Sequence, residues 1–255
     1  MSDDDNNKQK DGSADAAVRL VGIKADKVRE ELADILSAGN PSAEITDLHG
    51  EVCIRLHAVG DEEKNGKKVL KPVVKEIKSR LGQMIYSTDE DETLEDAVVG
   101  LLKENHFTIA TAESCTAGLF TGRLANVPGA SDILKCGFIT YSEKAKRKYV
   151  GVKRRTLDKF SAVSGETAME MSKGAAAAAK TDCAIAITGI AGPDGGSDKH
   201  PVGQVFIGVT VQKKTFVKEY YFSGDRQDIR SQAVTEALAL LRLALLKHFS
   251  EITFK

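Results

Sequence analysis

From Thr93 to Phe249 the chain alternates between short apolar runs and longer segments with helical apolar spacing, an order that few architectures accommodate. FTIATAE reads as a strand, CTAGLFTGRLANV as a helix, ILKCGFITYS as a strand and EKAKRKYVG as a helix. After a basic connector, Ser164 caps an Ala-rich helix, GETAMEMSKGAAAAAK, and CAIAITGI follows as a buried strand. QVFIGVTVQ and FVKEYYF, separated by Lys213 to Thr215, predict a hairpin, and a helix from about Asp225 to Phe249 closes the chain. Strands separated by helices predict a layered α/β domain over residues 87–255, with the final hairpin making its sheet mixed. TLEDAVVGLLKEN opens the domain as a helix, with Thr93 and Asp96 at capping-box spacing.

With 255 residues, 42% of them hydrophobic, the chain has material for this core and a smaller second one. Residues 17–86 predict that second unit as α+β. VRLVGI reads as a strand, KADKVREELADIL puts Val28, Leu32 and Ile35 on one helical face, and EVCIRLHAV alternates. A helix from about Asn65 to Leu81 turns Val69, Val73, Val74, Ile77 and Leu81 inward, and Pro72 is expected to start or bend it. STDEDET at 87–93 reads as the linker. Residues 1–16 carry five Asp and two Lys with almost nothing to bury, the composition of a disordered tail.

A net charge of −1 provides no basic field to gather nucleic acid, so a small soluble partner fits better. Cys53, Cys115, Cys136 and Cys183 stand far apart, with neither a C-x-x-C pair nor clustered His, which predicts reduced thiols and no metal site. The start of the chain is acidic and polar, unlike a signal peptide, and no segment approaches the roughly 18 apolar residues of a membrane span. A cytoplasmic protein with no membrane partner is the expectation.

In open α/β sheets ligands collect at the carboxyl ends of strands, which singles out A-E-S-C-T-A-G at 112–118, Y-S-E-K-A-K at 141–146 and T-G-I-A-G-P-D-G-G at 188–196. Ser114 falls where a strand hands over to a helix, whose first N–H groups favour a developing oxyanion. On position alone the residue reads equally as an N-cap. Cys115 competes as nucleophile, since a helix N-terminus also lowers a thiol pKa, but no His partner is apparent. Lys146 lies one helical turn beyond Ser142 and can turn back toward the strand ends. A lysine among Lys144, Arg147 and Lys148 reads by default as part of a solvated face. The Gly-rich turn offers Gly189, Ala191 and Gly192 for close approach by a carboxamide or phosphate, and reads equally as a structural turn. Arg226 and Arg230 near the start of the last helix are candidates for an anion, or plain surface charge.

Taken together, these segments closely resemble the CinA C-terminal domain family, whose characterised activity is deamidation of nicotinamide mononucleotide. The resemblance runs from about Thr93 to Phe249 and includes V-P-G-A-S at 127–131, A-V-S at 162–164, P-V-G at 201–203 and S-G-D-R at 223–226. It implies Ser114 as nucleophile and Lys146 as its base, with Tyr141 and Thr188 lining the site. Cys115, Thr116 and Gly118 are then expected at the oxyanion, and Gly189, Ala191, Gly192 and Arg226 at the ribose and phosphate. No cofactor or metal is required. Residues 17–86 resemble the KH-like domain that precedes this domain in long CinA proteins. Those proteins begin with a further nucleotide-binding domain associated with ADP-ribose pyrophosphatase activity, for which this sequence has no room, so that activity is expected to be absent.

Two positions depart from the family pattern. Ala117 stands where C-T-G-G is usual, and a positive φ there would strain it. His200 precedes Pro201 where Lys is usual, with Lys199 one position early. Two other readings compete. A non-catalytic RNA- or protein-binding module lacks support, since residues 17–86 contain no G-x-x-G loop. An amidohydrolase acting on another nicotinamide-type amide is not separated by sequence. The stripe Ala233, Ala237, Leu240, Leu241 and Ala244 suits a core better than a homo-oligomer interface, which stays possible.

Overall fold

Alternating apolar residues in the first third of the chain build an antiparallel sheet. The computed structural model describes residues 12–48, 50–60 and 65–253, and its chain divides into two units between Glu92 and Thr93. In the first, strands β1 (Ala14–Val21), β2 (Ser42–Leu48), β3 (Glu51–Ala58) and β4 (Ile85–Ser87) lie in the order β2-β3-β1-β4. Register pairs Val18 with Ile54 and Leu20 with Val52. These join Val28 and Leu32, together with Leu70, Ile77 and Leu81 of the later helix, in one buried cluster.

Several local expectations change here. Residues 1–11 of the expected tail lie outside the described residues, and the tail does not reach residue 16, because β1 already pairs Ala14 with Ala58 and Asp15 with His57. Backbone pairing supplies that extension, and alanines give no apolar signal for it. The predicted helix over 24–36 is two, α1 (Ala25–Glu31) and α2 (Ala33–Leu36), broken at Leu32, where φ is −113° and ψ 12°. No Gly or Pro marks that break. Edge strand β2 carries little apolar pattern: of its described side chains, Ala43 and Ile45 pack on the core. Helix α3 (Gly66–Leu81) is capped by the Asn65 side chain, which accepts from Lys68 N. Pro72 lies inside that helix rather than at its start.

The second unit is α/β with a mixed sheet. Its elements are α4 (Leu94–Glu104), β5 (Ile109–Glu113), α5 (Leu119–Ala125), β6 (Leu134–Ile139), α6 (Glu143–Val150), α7 (Arg154–Phe160), α8 (Gly165–Ala179), β7 (Cys183–Gly189), β8 (Gln204–Val211), β9 (Lys214–Tyr221) and α9 (Arg226–Thr253). Strand order is β6-β5-β7-β8-β9; β5 is parallel to both neighbours, and the β7–β8 and β8–β9 pairs are antiparallel. Helix α7 occupies what reads as a connector.

Small residues explain how closely the layers approach. Ala110, Ala112, Ala184 and Ala186 meet Met171 and Ala175 of α8, and a methyl on Gly208 would stand 2.5 Å from the Ala168 carbonyl. The Ala-rich composition of α8 therefore reflects contact with backbone. The opposite face carries α4, α5 and α9. Ala233, Ala237, Leu241 and Ala244 of the α9 stripe are buried within this chain, and Leu240 is half-buried. No helix among the described residues is long and apolar enough to cross a membrane.

Thr93 and Asp96 close a reciprocal capping box at the start of α4: Asp96 N donates to Thr93 Oγ1 at 3.2 Å, and Thr93 N donates to Asp96 Oδ2 at 3.0 Å. Thr93→Ala removes one half of it and is expected to cost about 1 kcal/mol in urea denaturation followed by circular dichroism.

Candidate active site

Strand parity sets the site. Side chains of Ala110 and Ala112 in β5 face α8, so Ser114, next in that alternation, comes out on the same side. Its amide donates to Ile187 O at 2.9 Å, carrying the β5–β7 ladder one step beyond the strand. By the same alternation Thr188 of β7 shares that face.

Lys146 arrives from α6, whose N-cap Ser142 accepts from Ala145 N at 3.1 Å. Lys146 and Val150, one turn apart, form the buried stripe of this helix, while Lys144, Arg147 and Lys148 are exposed. The solvated-face default is thus right for its neighbours and wrong for Lys146, which is 1% exposed. Its Nζ lies 2.8 Å from Ser114 Oγ and 2.9 Å from the Thr140 carbonyl. Burial pulls the lysine pKa down to about 8, against smaller opposing effects of Cys115 and Glu143. When neutral, the amine can donate to Thr140 O and accept the Ser114 hydroxyl proton.

The lysine amine bonds Ser114 Oγ, and no hydrogen bond joins it to Cys115 Sγ among the described residues. Burial pushes the Cys115 thiol up to about 11 despite Lys146 nearby, so it is protonated at neutral pH. All four cysteines are free thiols.

The turn after Ser114 differs from expectation. Helix α5 begins only at Leu119, so residues 115–118 form a separate turn with Ala117 at φ +51° and Gly118 at φ +98°. Arg230 holds this turn from α9: Nε donates to Cys115 O and Nη2 to Thr116 O, each at 3.0 Å. That guanidinium is engaged with backbone, which replaces the anion-binding expectation for it. Since N–H and C=O point oppositely across a trans peptide, the Thr116 amide faces away from Arg230. Among the described residues the amides of Cys115 and Thr116 donate to no backbone carbonyl, and both act on the Cys115 thiol, favouring its charged form. Thr116 Oγ1 is buried without a partner.

Gly118 drops out as a ligand donor. Its amide donates to Glu113 Oε2 at 2.9 Å, and Glu113, 1% exposed, also accepts from Phe120 N, Thr121 N and Thr121 Oγ1. Sequence reasoning passed over Glu113; an acid at a strand end just ahead of a helix was the available signal.

The remaining candidates make contacts of their own. Arg226 Nη1 donates to Gly192 O at 2.7 Å and Nη2 to the Tyr141 hydroxyl at 3.1 Å, fastening the exposed tyrosine to the Gly-rich turn. Thr188 is buried and donates to Ala162 O at 2.8 Å. Gly189 and Gly192 are required by packing, because a methyl on either would stand 2.6 Å from β8 or Val202. Ala191 is 4% exposed, turned into the protein. His200 bonds Gln204 through Nδ1 at 2.8 Å, and Gln204 passes that link to Glu219.

Residues 91–245 match the CinA C-terminal domain, and residues 17–87 match the damage-inducible protein CinA KH domain. The chain belongs to the CinA family. A CinA-like protein from Kosmotoga olearia is 44% identical over 230 residues, covering 90% of this chain and 56% of that protein. The chain therefore spans little more than half the length of this curated relative. Among solved structures, the competence/damage inducible protein CihA from Agrobacterium tumefaciens is 38% identical with a TM-score of 0.58, covering 60% of this chain and 93% of that one. A CinA superfamily protein from Klebsiella pneumoniae is 35% identical with a TM-score of 0.59, covering 60% and 96%.

Ala117 combines a left-handed backbone with an exposed methyl that packs on little. An L residue there costs about 1–2 kcal/mol, partly offset by the greater unfolded-state freedom of glycine. Ala117→Gly is expected to raise stability by roughly 0.5–1 kcal/mol in urea denaturation.

Proposed function

We propose that this chain hydrolyses the carboxamide of nicotinamide mononucleotide, giving nicotinate mononucleotide and ammonia through a Ser114–Lys146 dyad. The observation that carries this reading is the buried Lys146 amine 2.8 Å from Ser114 Oγ. An ion pair would keep that amine charged; here it meets only a hydroxyl and a carbonyl among the described residues, and burial favours its neutral form.

Neutral Lys146 takes the hydroxyl proton as Ser114 Oγ attacks the carboxamide carbon. The carbonyl oxygen becomes an oxyanion, for which the amides of Cys115 and Thr116, bound to no backbone carbonyl among the described residues, are the donors. Collapse breaks the carbon–nitrogen bond, and the lysine ammonium delivers its proton so that ammonia leaves. Water then attacks the acyl-serine ester, Lys146 accepts its proton and returns it to Ser114 Oγ, and the carboxylate product departs. Tyr141, held by Arg226, is positioned for the pyridine ring; Arg226 and the backbone near Gly192 serve the ribose and phosphate. Thr188 shapes the floor beside the dyad.

Family membership and the dyad geometry support hydrolysis of an amide; the choice of nicotinamide mononucleotide follows the activity characterised for the resembling family. Purified protein is expected to release ammonia from this substrate, and Ser114→Ala to lose at least about a hundredfold in kcat. Lys146→Arg keeps charge but cannot be deprotonated, and is expected to lose a similar factor. Undiminished turnover in either variant would remove that residue from the scheme. Removing the substrate phosphate is expected to lower kcat/KM, and an equal value for nicotinamide riboside would redirect the assignment to another amide.

The sign of the pH dependence follows from the base being the neutral amine. Activity is expected to rise about tenfold per pH unit below the lysine pKa and to level off above about 8, read as kcat/KM against pH. A profile flat from pH 6 to 9, a range chosen as roughly spanning that transition, contradicts a lysine base.

A further inference from the structure

Glu113 stands one residue before Ser114, with its side chain on the opposite face of the sheet, where Thr111 of the same parity meets Thr121 of α5. A carboxylate with 1% exposure needs its charge satisfied. Each of its four contacts is a donor: Gly118 N at 2.9 Å and Phe120 N at 3.1 Å on Oε2, with Thr121 N at 2.9 Å and Thr121 Oγ1 at 2.6 Å on Oε1. Gly118 offers α5 no side-chain cap, and Glu113 takes that place. Its main chain works in the other direction. Glu113 O accepts from Thr140 N at 2.7 Å, and the carbonyl of that same Thr140 accepts from Lys146 Nζ at 2.9 Å.

We propose that Glu113 is a positioning residue for the dyad, fixing the turn that follows Ser114 through its carboxylate and the anchor of Lys146 through its carbonyl. The turn of residues 115–117 is then closed at both ends, by the ladder bond of Ser114 N to Ile187 O and by the Gly118–Glu113 bond. Its reach sets where Ser114 Oγ and the Cys115 and Thr116 amides stand relative to the lysine. The sheet lies between the carboxylate and Lys146, so Glu113 orients the base without serving as its counter-ion. This inference rests on Ser114–Lys146 chemistry as proposed above, and not on the identity of the amide.

The test uses the full chain and a fluorophosphonate probe. Ser114 Oγ forms a bond to phosphorus, fluoride leaves, and the serine proton passes to Lys146. Intact-protein mass spectrometry follows labelling, and peptide mapping assigns it to Ser114. The rate constant reports how well the hydroxyl is aligned; the amplitude reports how much protein is folded. Glu113→Gln keeps size but turns an N–H toward the Thr121 amide, and Glu113→Asp keeps charge but withdraws it by one methylene. Both are expected to label about 10- to 100-fold more slowly, with full amplitude and an unchanged inflection in the rate against pH. In turnover the loss is expected in kcat, with KM for nicotinamide mononucleotide within about threefold.

Rate constants within about twofold of wild type in both variants, with only amplitude or melting temperature reduced, would overturn the proposal in favour of a purely structural acid. Should Ser114 label in a Glu113-dependent manner while nicotinamide mononucleotide is not hydrolysed, the substrate assignment fails and the positioning role stands. Absence of labelling at Ser114 in the wild-type protein overturns both.

Discussion

Lys146 reaches Ser114 because α6, which carries Lys144, Lys146, Arg147 and Lys148, turns one of the four inward onto the same stripe as Val150. An ammonium at 1% exposure has lost its hydration and gained a hydroxyl and a carbonyl, neither of which compensates a full charge. Burial moves the balance toward the neutral amine, with a pKa pulled down to about 8, and with it the capacity to take a proton near neutral pH. Everything chemical at the site follows from that desolvation. Lys144, Arg147 and Lys148 of the same helix are exposed to water, which shows how narrowly position on the helix decides the role.

Around this pair the protein applies constraint from the sheet face that carries α5 and α9. Arg230 holds the carbonyls of Cys115 and Thr116, Glu113 holds the amides of Gly118, Phe120 and Thr121, and the amides left over belong to the turn between them. The fixed direction of a trans peptide turns each captured carbonyl into an oriented N–H on the other side. Such preorganised dipoles stabilise charge without rearranging when it develops. Ala117, held at φ +51° in the same turn, shows that its shape is imposed by the surrounding contacts over local preference.

Much of the second unit was legible. Alternating strands and helices, the capping box at Thr93, the Ser164 cap and the β8–β9 hairpin each carry a local signal that the tertiary structure does not override. Less visible were features whose cause is distant: β2, paired through backbone at an edge; the break at Leu32; α7 inside a basic stretch; and the late start of α5. Of the two arginines near the start of the last helix, position alone treated them alike and the resemblance kept Arg226; in the structure Arg226 ties Tyr141 to Gly192 and Arg230 ties the nucleophile turn.

By itself the sequence determined the layered α/β class, the strand ends at which chemistry collects, and the motifs that identify the family, because periodicity and turn residues act over a few neighbours. The family resemblance pointed to Ser114 and Lys146, and tertiary structure decided that their side chains touch, with Glu113 on the other face of the sheet. Ser114 and Lys146 lie on different elements, and whether a lysine is solvated or desolvated depends on what the fold packs above it. Protonation state is a property of that surrounding medium, and no local pattern encodes it.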